Sequence, residues 1–130
     1  MLTSLRNQRH FDVVSSVGRA HHHSNFVYVV SGIPNELLHL VDTSSTSAVV
    51  LGMKVTKKLG NAPTRNKIKR RIRHLHRLLI QQSKKPLNLC VIFIPKKGFE
   101  NVNFMELFSV IQLFIRKTKV DITHKLRLHN

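Results

Sequence analysis

The stretch Leu51–Arg77, LGMKVTKKLGNAPTRNKIKRRIRHLHR, carries ten of the chain's 22 lysines and arginines and no carboxylate. Its apolar residues Ile68, Ile72 and Leu75, continued by Leu79, recur at steps of four, three and four, which places them on one stripe of an α-helix. Between them fall Arg65, Lys67, Lys69, Arg70, Arg71, Arg73, His74, His76 and Arg77, so one face packs and the rest of the circumference presents donors. Gly60 and Asn61 supply turn chemistry, and Pro63 suits a first helical turn, where its missing N–H does no harm. The helix is therefore expected to begin between Asn61 and Arg65, with Thr64 an alternative cap.

Working outward, no Asp or Glu occurs from Thr43 to Phe99. Like charges at helical spacing repel by a few tenths of a kcal/mol, roughly, per pair, so a polyanion outside the chain is needed to offset them. The net charge of +16 and pI near 11.3 point the same way.

Upstream, 46–56 reads as a strand, and 32–47 as a loop with a short helical turn over 36–41. Residues 25–31 alternate as a strand, with Phe26, Tyr28 and Val30 on one face and Val27 and Val29 on the other. Both faces are apolar, so Phe26 and Tyr28 can fill a core or stack on bases. Residues 3–17 suit a helix capped by Thr3 or Ser4 and ended by Gly18. Within it Phe11 is a core aromatic or a stacking platform beside Arg6, Arg9 and His10. His21, His22 and His23 stand consecutively, and on a strand such neighbours point to opposite faces, which argues against convergence on one metal ion. Phosphate or base contact suits them better.

Downstream, 83–88 and 95–98 read as loops, and 89–94 as a central strand apolar on both faces. Asn103 precedes an amphipathic helix in which Phe104, Leu107, Phe108, Ile111, Phe114 and Ile115 form the packed stripe. Residues 117–130 look like a basic surface tail, free to fray from about 118. One domain over 1–130 is expected, an α+β two-layer sandwich with helices on one face of the sheet and a cleft on the other. No segment approaches a spanning helix and the start lacks a signal-like apolar run, so a cytoplasmic protein is expected. Cys90, inside an apolar run, is a buried small hydrophobe and not a nucleophile.

Residues Gly52 to Ala62 followed by Arg65-Asn66-Lys67-Ile68-Lys69-Arg70-Arg71-Ile72-Arg73 resemble the signature of the bacterial ribonuclease P protein subunit. The chain departs from it at Pro63, where a small aliphatic residue is usual, and at His74, where Glu is usual. The resemblance implies a left-handed βαβ crossover through the basic helix, contrary to the general handedness rule. It implies a subunit that binds a catalytic RNA and the 5′ leader of precursor tRNA, assisting endonucleolytic removal of that leader while the RNA holds Mg2+ and carries the chemistry. Catalytic residues are then expected in the RNA and none in the protein. The RNA-contacting set carried over is Lys54, Lys57, Lys58, Asn61, Arg65, Asn66, Lys67, Lys69, Arg70, Arg71 and Arg73. The leader cleft is Arg9, Phe11, Phe26 and Tyr28, and Asn66 is a candidate for a metal-ion contact. Neither membrane nor DNA is expected as a partner.

Two other classes compete. An autonomous nuclease needs paired carboxylates or a positioned base, and six carboxylates with none around the motif fit that poorly. A structural RNA-binding or ribosomal-type protein has the same charge without the associated activity.

Overall fold

The computed structural model describes residues 1–42 and 46–129, the last of these, 119–129, by backbone alone. Positions 43–45 of the expected loop and Asn130 of the expected tail lie outside the described residues.

Five strands form one sheet in the order β1-β4-β5-β3-β2, where β1 is Leu2–Ser4, β2 Arg19–His23, β3 Phe26–Ser31, β4 Ala48–Met53 and β5 Asn88–Pro95. β1 and β5 run parallel to β4 on either side of it; β3 is antiparallel to β5, and β2 to β3. Helix α1 spans Gln8–Val17, α2 Ala62–Gln82 and α3 Phe104–His129, so α2 is the crossover between adjacent parallel strands. Short 3₁₀ turns occupy Asn35–Leu40, Lys57–Leu59 and Phe99–Asn101.

The caps explain the helix starts. Asn61 Oδ1 accepts the Thr64 N–H at 3.0 Å, so α2 begins at Ala62 with Pro63 in its first turn. Asn103 Oδ1 does the same for the Met105 and Glu106 N–H groups. In α1 the cap is Asn7, not Thr3 or Ser4, because 2–4 pair with β4 as an unforeseen edge strand. The backbone of α3 is helical to His129, beyond the expected fraying point.

Sheet parity divides the interior. Phe26, Tyr28, Val30, Leu51, Val91 and Phe93 meet Ile68, Ile72, Leu75 and Leu79 of α2 and Leu107, Ile111 and Ile115 of α3. On the opposite face Val29, Val50, Cys90 and Ile92 meet Leu5, Val14, Leu37 and Leu40, so α1 and the 35–40 turn lie across the sheet from α2 and α3. The two longer helices share one face as expected; the first helix takes the other. Burial pushes the Cys90 thiol up to about 12, so it is inert at neutral pH and serves as packing.

Tyr28 and His76 form a closed polar pair inside the helix-covered core. His76 Nδ1–H donates to the Ile72 carbonyl at 2.7 Å, leaving Nε2 to accept the Tyr28 O–H at 3.0 Å. His76 is thus not among the free donors of α2. Burial pulls it down to about 4 and pushes the Tyr28 hydroxyl up. A neutral buried histidine stabilises the fold above its unfolded pKa, near 6.5, and the contribution is lost as pH falls toward 4, by about 3 kcal/mol. His21, also lowered by burial, adds in the same direction. Urea titrations from pH 7 to 4 are expected to show this decline, and His76→Gln, which gains no proton, should flatten much of it.

Candidate nucleic-acid interface

The turn before α2 prepares its charged face. Gly60 has φ +135°, and a Cβ there would stand 3.0 Å from the Thr64 side chain, so the chain turns sharply from Lys57 and Lys58 into the helix. Both lysines are exposed. On α2, Asn66, Lys67, Arg70, His74 and Arg77 are exposed and Arg65, Lys69 and Arg73 half-buried, while Ile68, Ile72, Leu75 and Leu79 are buried. One side of the helix is therefore a nearly unbroken cationic surface. The buried Nε of Arg65 has no hydrogen-bond partner among the described residues, so the fold does not use that donor.

Two of the expected contacts belong elsewhere. Arg71 donates through Nη1 to the Phe99 carbonyl at 3.0 Å and through Nη2 to that of Val102, with its guanidinium 5.3 Å from the Phe99 ring. It ties α2 to the turn before α3 and is a structural residue. Asn61 commits its Oδ1 to the helix cap, leaving only its amide nitrogen for RNA. Arg71→Ala should cost about 2–3 kcal/mol, since two hydrogen bonds to a charged donor are lost and the Val102 carbonyl is stripped, while the Phe99 carbonyl keeps the Val102 N–H. Arg70→Ala should stay within roughly 0.5 kcal/mol. Chemical denaturation of the two variants checks the pair.

The cleft also differs from expectation. Phe26 and Tyr28 are 0% exposed beneath α2 and α3, and Phe26 stacks on Phe93 at 5.0 Å. Strand parity turns them away from the open face, so neither can stack on a base. Phe11 is on that face, half-buried: its ring lies on Gly52, where a Cβ would come within 2.6 Å, and Lys54 Nζ stands 5.8 Å from its centre. Only a glycine admits this contact. Beyond α1 the open face is a row from Lys54 through Ile94 and Val27 to His22, set by the pairings Val27↔Ile94 and His22↔Val27 and by the Lys54 N–H on the Phe93 carbonyl. Ile94 and Val27 are half-exposed, an apolar floor between two basic ends. Val27 and Ile94 lie outside the expected site set, and their parity, opposite to that of the aromatics, was the available signal; His22, expected to meet phosphate or base, is on this face. Arg9 lies on another side of α1, bordering a pocket against the 35–40 turn, and is not beside Phe11.

The three histidines separate as strand geometry requires. His21 and His23 face α3: His21 Nε2–H donates to Thr118 Oγ1 at 2.7 Å and its ring stacks on Phe114, while His23 stacks on Phe26 and its Nε2 is 3.9 Å from Glu106. His22 alone is exposed. His21 and His23 dock a helix and are not phosphate ligands. His74, the departure from the signature, lies 5.5 Å from the Phe104 ring.

Known proteins resemble the chain along nearly its whole length. A family model described as Ribonuclease P matches residues 2–119. The chain is 40% identical over 119 residues to a ribonuclease P protein component of Rickettsia canadensis, covering 89% of this chain and 97% of that one. It is 41% identical over 108 residues to one of Rickettsia felis, covering 82% and 88%. Among solved structures, the RNase P protein of Staphylococcus aureus superposes with a TM-score of 0.63 at 23% identity, over 88% of this chain and 95% of that one. That of Thermotoga maritima superposes with a TM-score of 0.61 at 25% identity, over 87% and 96%. The cationic crossover helix, the Gly60-Asn61 turn that starts it and the match along nearly the whole described chain have one common explanation: the chain belongs to the ribonuclease P protein family.

Proposed function

We propose that the protein contributes two binding surfaces to ribonuclease P and leaves the chemistry to the RNA. The family's role is removal of the 5′ leader from precursor tRNA, and this chain has that role as the protein component of a ribonucleoprotein. In this reading the exposed side of α2, with Arg65, Asn66, Lys67, Lys69, Arg70 and Arg73, and with Lys57 and Lys58 before it, contacts phosphates of the catalytic RNA. The face with Phe11, Lys54, Ile94, Val27 and His22 holds the single-stranded leader, by stacking on Phe11 and by charge at either end. A purely structural RNA-binding role is not favoured, given the family.

The observation that carries this division is that the two surfaces lie on opposite faces of the sheet: the carboxylate-free cationic side of α2 over one, and on the other an apolar floor with Phe11 between Lys54 and His22. Magnesium is assigned to the RNA subunit. Among the described residues no cluster of three or more His, Cys, Asp or Glu could hold a metal ion, and Asn66 stands among cations. The donor set of the described residues thus does not fit a metal site of the protein's own. What its side chains supply is binding: neutralisation of phosphate repulsion between two RNAs, and a fixed position for the leader, which brings the scissile bond to the catalytic RNA as an oriented group.

Among the described residues no helix is long and apolar enough to cross a membrane. The test is reconstitution. Protein freed of RNA is expected to cleave no precursor tRNA with or without Mg2+, and to restore cleavage by a cognate ribonuclease P RNA at low Mg2+. Robust metal-dependent cleavage by the protein alone would contradict the proposal.

A further inference from the structure

The pocket on the far side of α1 from the Phe11 face is used by neither surface. It measures about 330 Å3 and is bordered by Arg9, His10, Val13, Glu36, Leu37 and His39. Leu37, 1% exposed, and half-buried Val13 give it an apolar base. His10 is only 8% exposed and is held in one tautomer: its Nδ1 accepts the Arg6 N–H at 3.0 Å, so the proton of the neutral ring is on Nε2. That Nε2–H has no partner among the described residues. The His39 ring stands edge-on to it, with centroids 6.0 Å apart. On the rim Arg9 and Glu36 are exposed, and neither forms an ion pair or hydrogen bond with the described residues although they border the same cavity.

We propose that this pocket receives one unpaired guanine of a bound RNA strand, an inference that rests on RNA being the protein's partner. The Glu36 carboxylate takes the base's N1–H and N2–H together, and guanine is the only base that offers one carboxylate two parallel donors. The His10 Nε2–H supplies a donor for the base's acceptor edge, the imidazole of His39 an aromatic surface, and Arg9 a counter-charge for the adjoining phosphate. An acid in so basic a protein weakens general RNA attraction, and this role gives it a use: it selects a base.

The experiment titrates the full chain with GMP, AMP, CMP, UMP and inorganic phosphate, and with the trinucleotides AGA and AAA, following the imidazole resonances by NMR. GMP is expected to bind about tenfold tighter than the other three nucleotides, the discrimination of one bidentate pair, and to move the signals of His10 and His39. Phosphate should leave them in place. AGA should exceed AAA by a similar factor; equality of the two, with GMP still preferred, would identify a free-nucleotide site and overturn the assignment to an RNA strand. Glu36→Gln, at an exposed position, should reduce the preference to under about twofold. Equal binding of all four nucleotides, or a preference that survives Glu36→Gln, would overturn the proposal. Binding of the catalytic RNA to the same variant is measured in parallel and should be unchanged, so loss of guanine preference is distinguished from failure of RNA binding as such.

Discussion

Ile72→Asp should abolish cooperative folding. Ile72 is fully buried at the centre of the α2 stripe, against β-sheet residues on one side and α3 on the other. The change removes about 1.5–3 kcal/mol of apolar burial and puts a carboxylate where no cation faces inward. The nearest arginine on the flank, Arg71, already gives its guanidinium to the Phe99 and Val102 carbonyls. The sum, above roughly 4 kcal/mol, approaches the whole stability of a small domain. Circular dichroism should show a lost or shallow melt, whereas Arg70→Ala on the opposite side should melt normally. Equal destabilisation of both would mean that the faces of α2 are wrongly assigned.

The contrast between those two residues also marks how far the sequence could be read. The stripe at 68, 72, 75 and 79 was legible because it repeats for three turns with an unambiguous period; the helix start was legible from Gly60, Asn61 and Pro63, although the cap is Asn61, expected as a turn residue, and Thr64, the expected cap, lies inside the first turn and gives its N–H to Asn61. Arg71 was not: its acceptors lie 28 and 31 residues away, beyond any spacing rule. His76 stands four residues after Ile72 and so on the edge of the packed stripe, a signal that its polarity concealed. For Phe26 and Tyr28 the alternation correctly grouped them on one face, but with both faces of β3 apolar it could not say which one the helices cover. The resemblance decided that question for the cleft, and the packing decides it for the core. The face left over, Val27 with Ile94 and His22, depends on pairing between three strands. β1 was invisible because three residues establish no period; its pairing is fixed by Leu2, Thr3 and Ser4 lying along β4.

The central claim is that helix and cleft bind different parts of the RNA by different physics. Replacing Arg65 and Arg70 together with Ala should weaken binding to the catalytic RNA and reduce the slope of log affinity against log salt by roughly 1.4, two phosphate contacts at about 0.7 each. Arg65 carries the unpartnered Nε and Arg70 is exposed, so neither change removes a contact that the fold needs. Phe11 requires a gentler substitution, because its ring also packs on Gly52 and Leu5. Phe11→Leu keeps an apolar side chain there but removes the stacking surface, worth about 1–3 kcal/mol for one base. The decisive measurement is the affinity of each reconstituted variant for precursor tRNA with a one-nucleotide and a longer leader, across a salt series. The account predicts that Phe11→Leu weakens only the long-leader substrate, by about tenfold, with the salt slope unchanged, while the arginine pair loses slope in binding the catalytic RNA whatever the leader. Equal weakening of both substrates by Phe11→Leu, with a lowered melting temperature, would make Phe11 a packing residue and contradict the account.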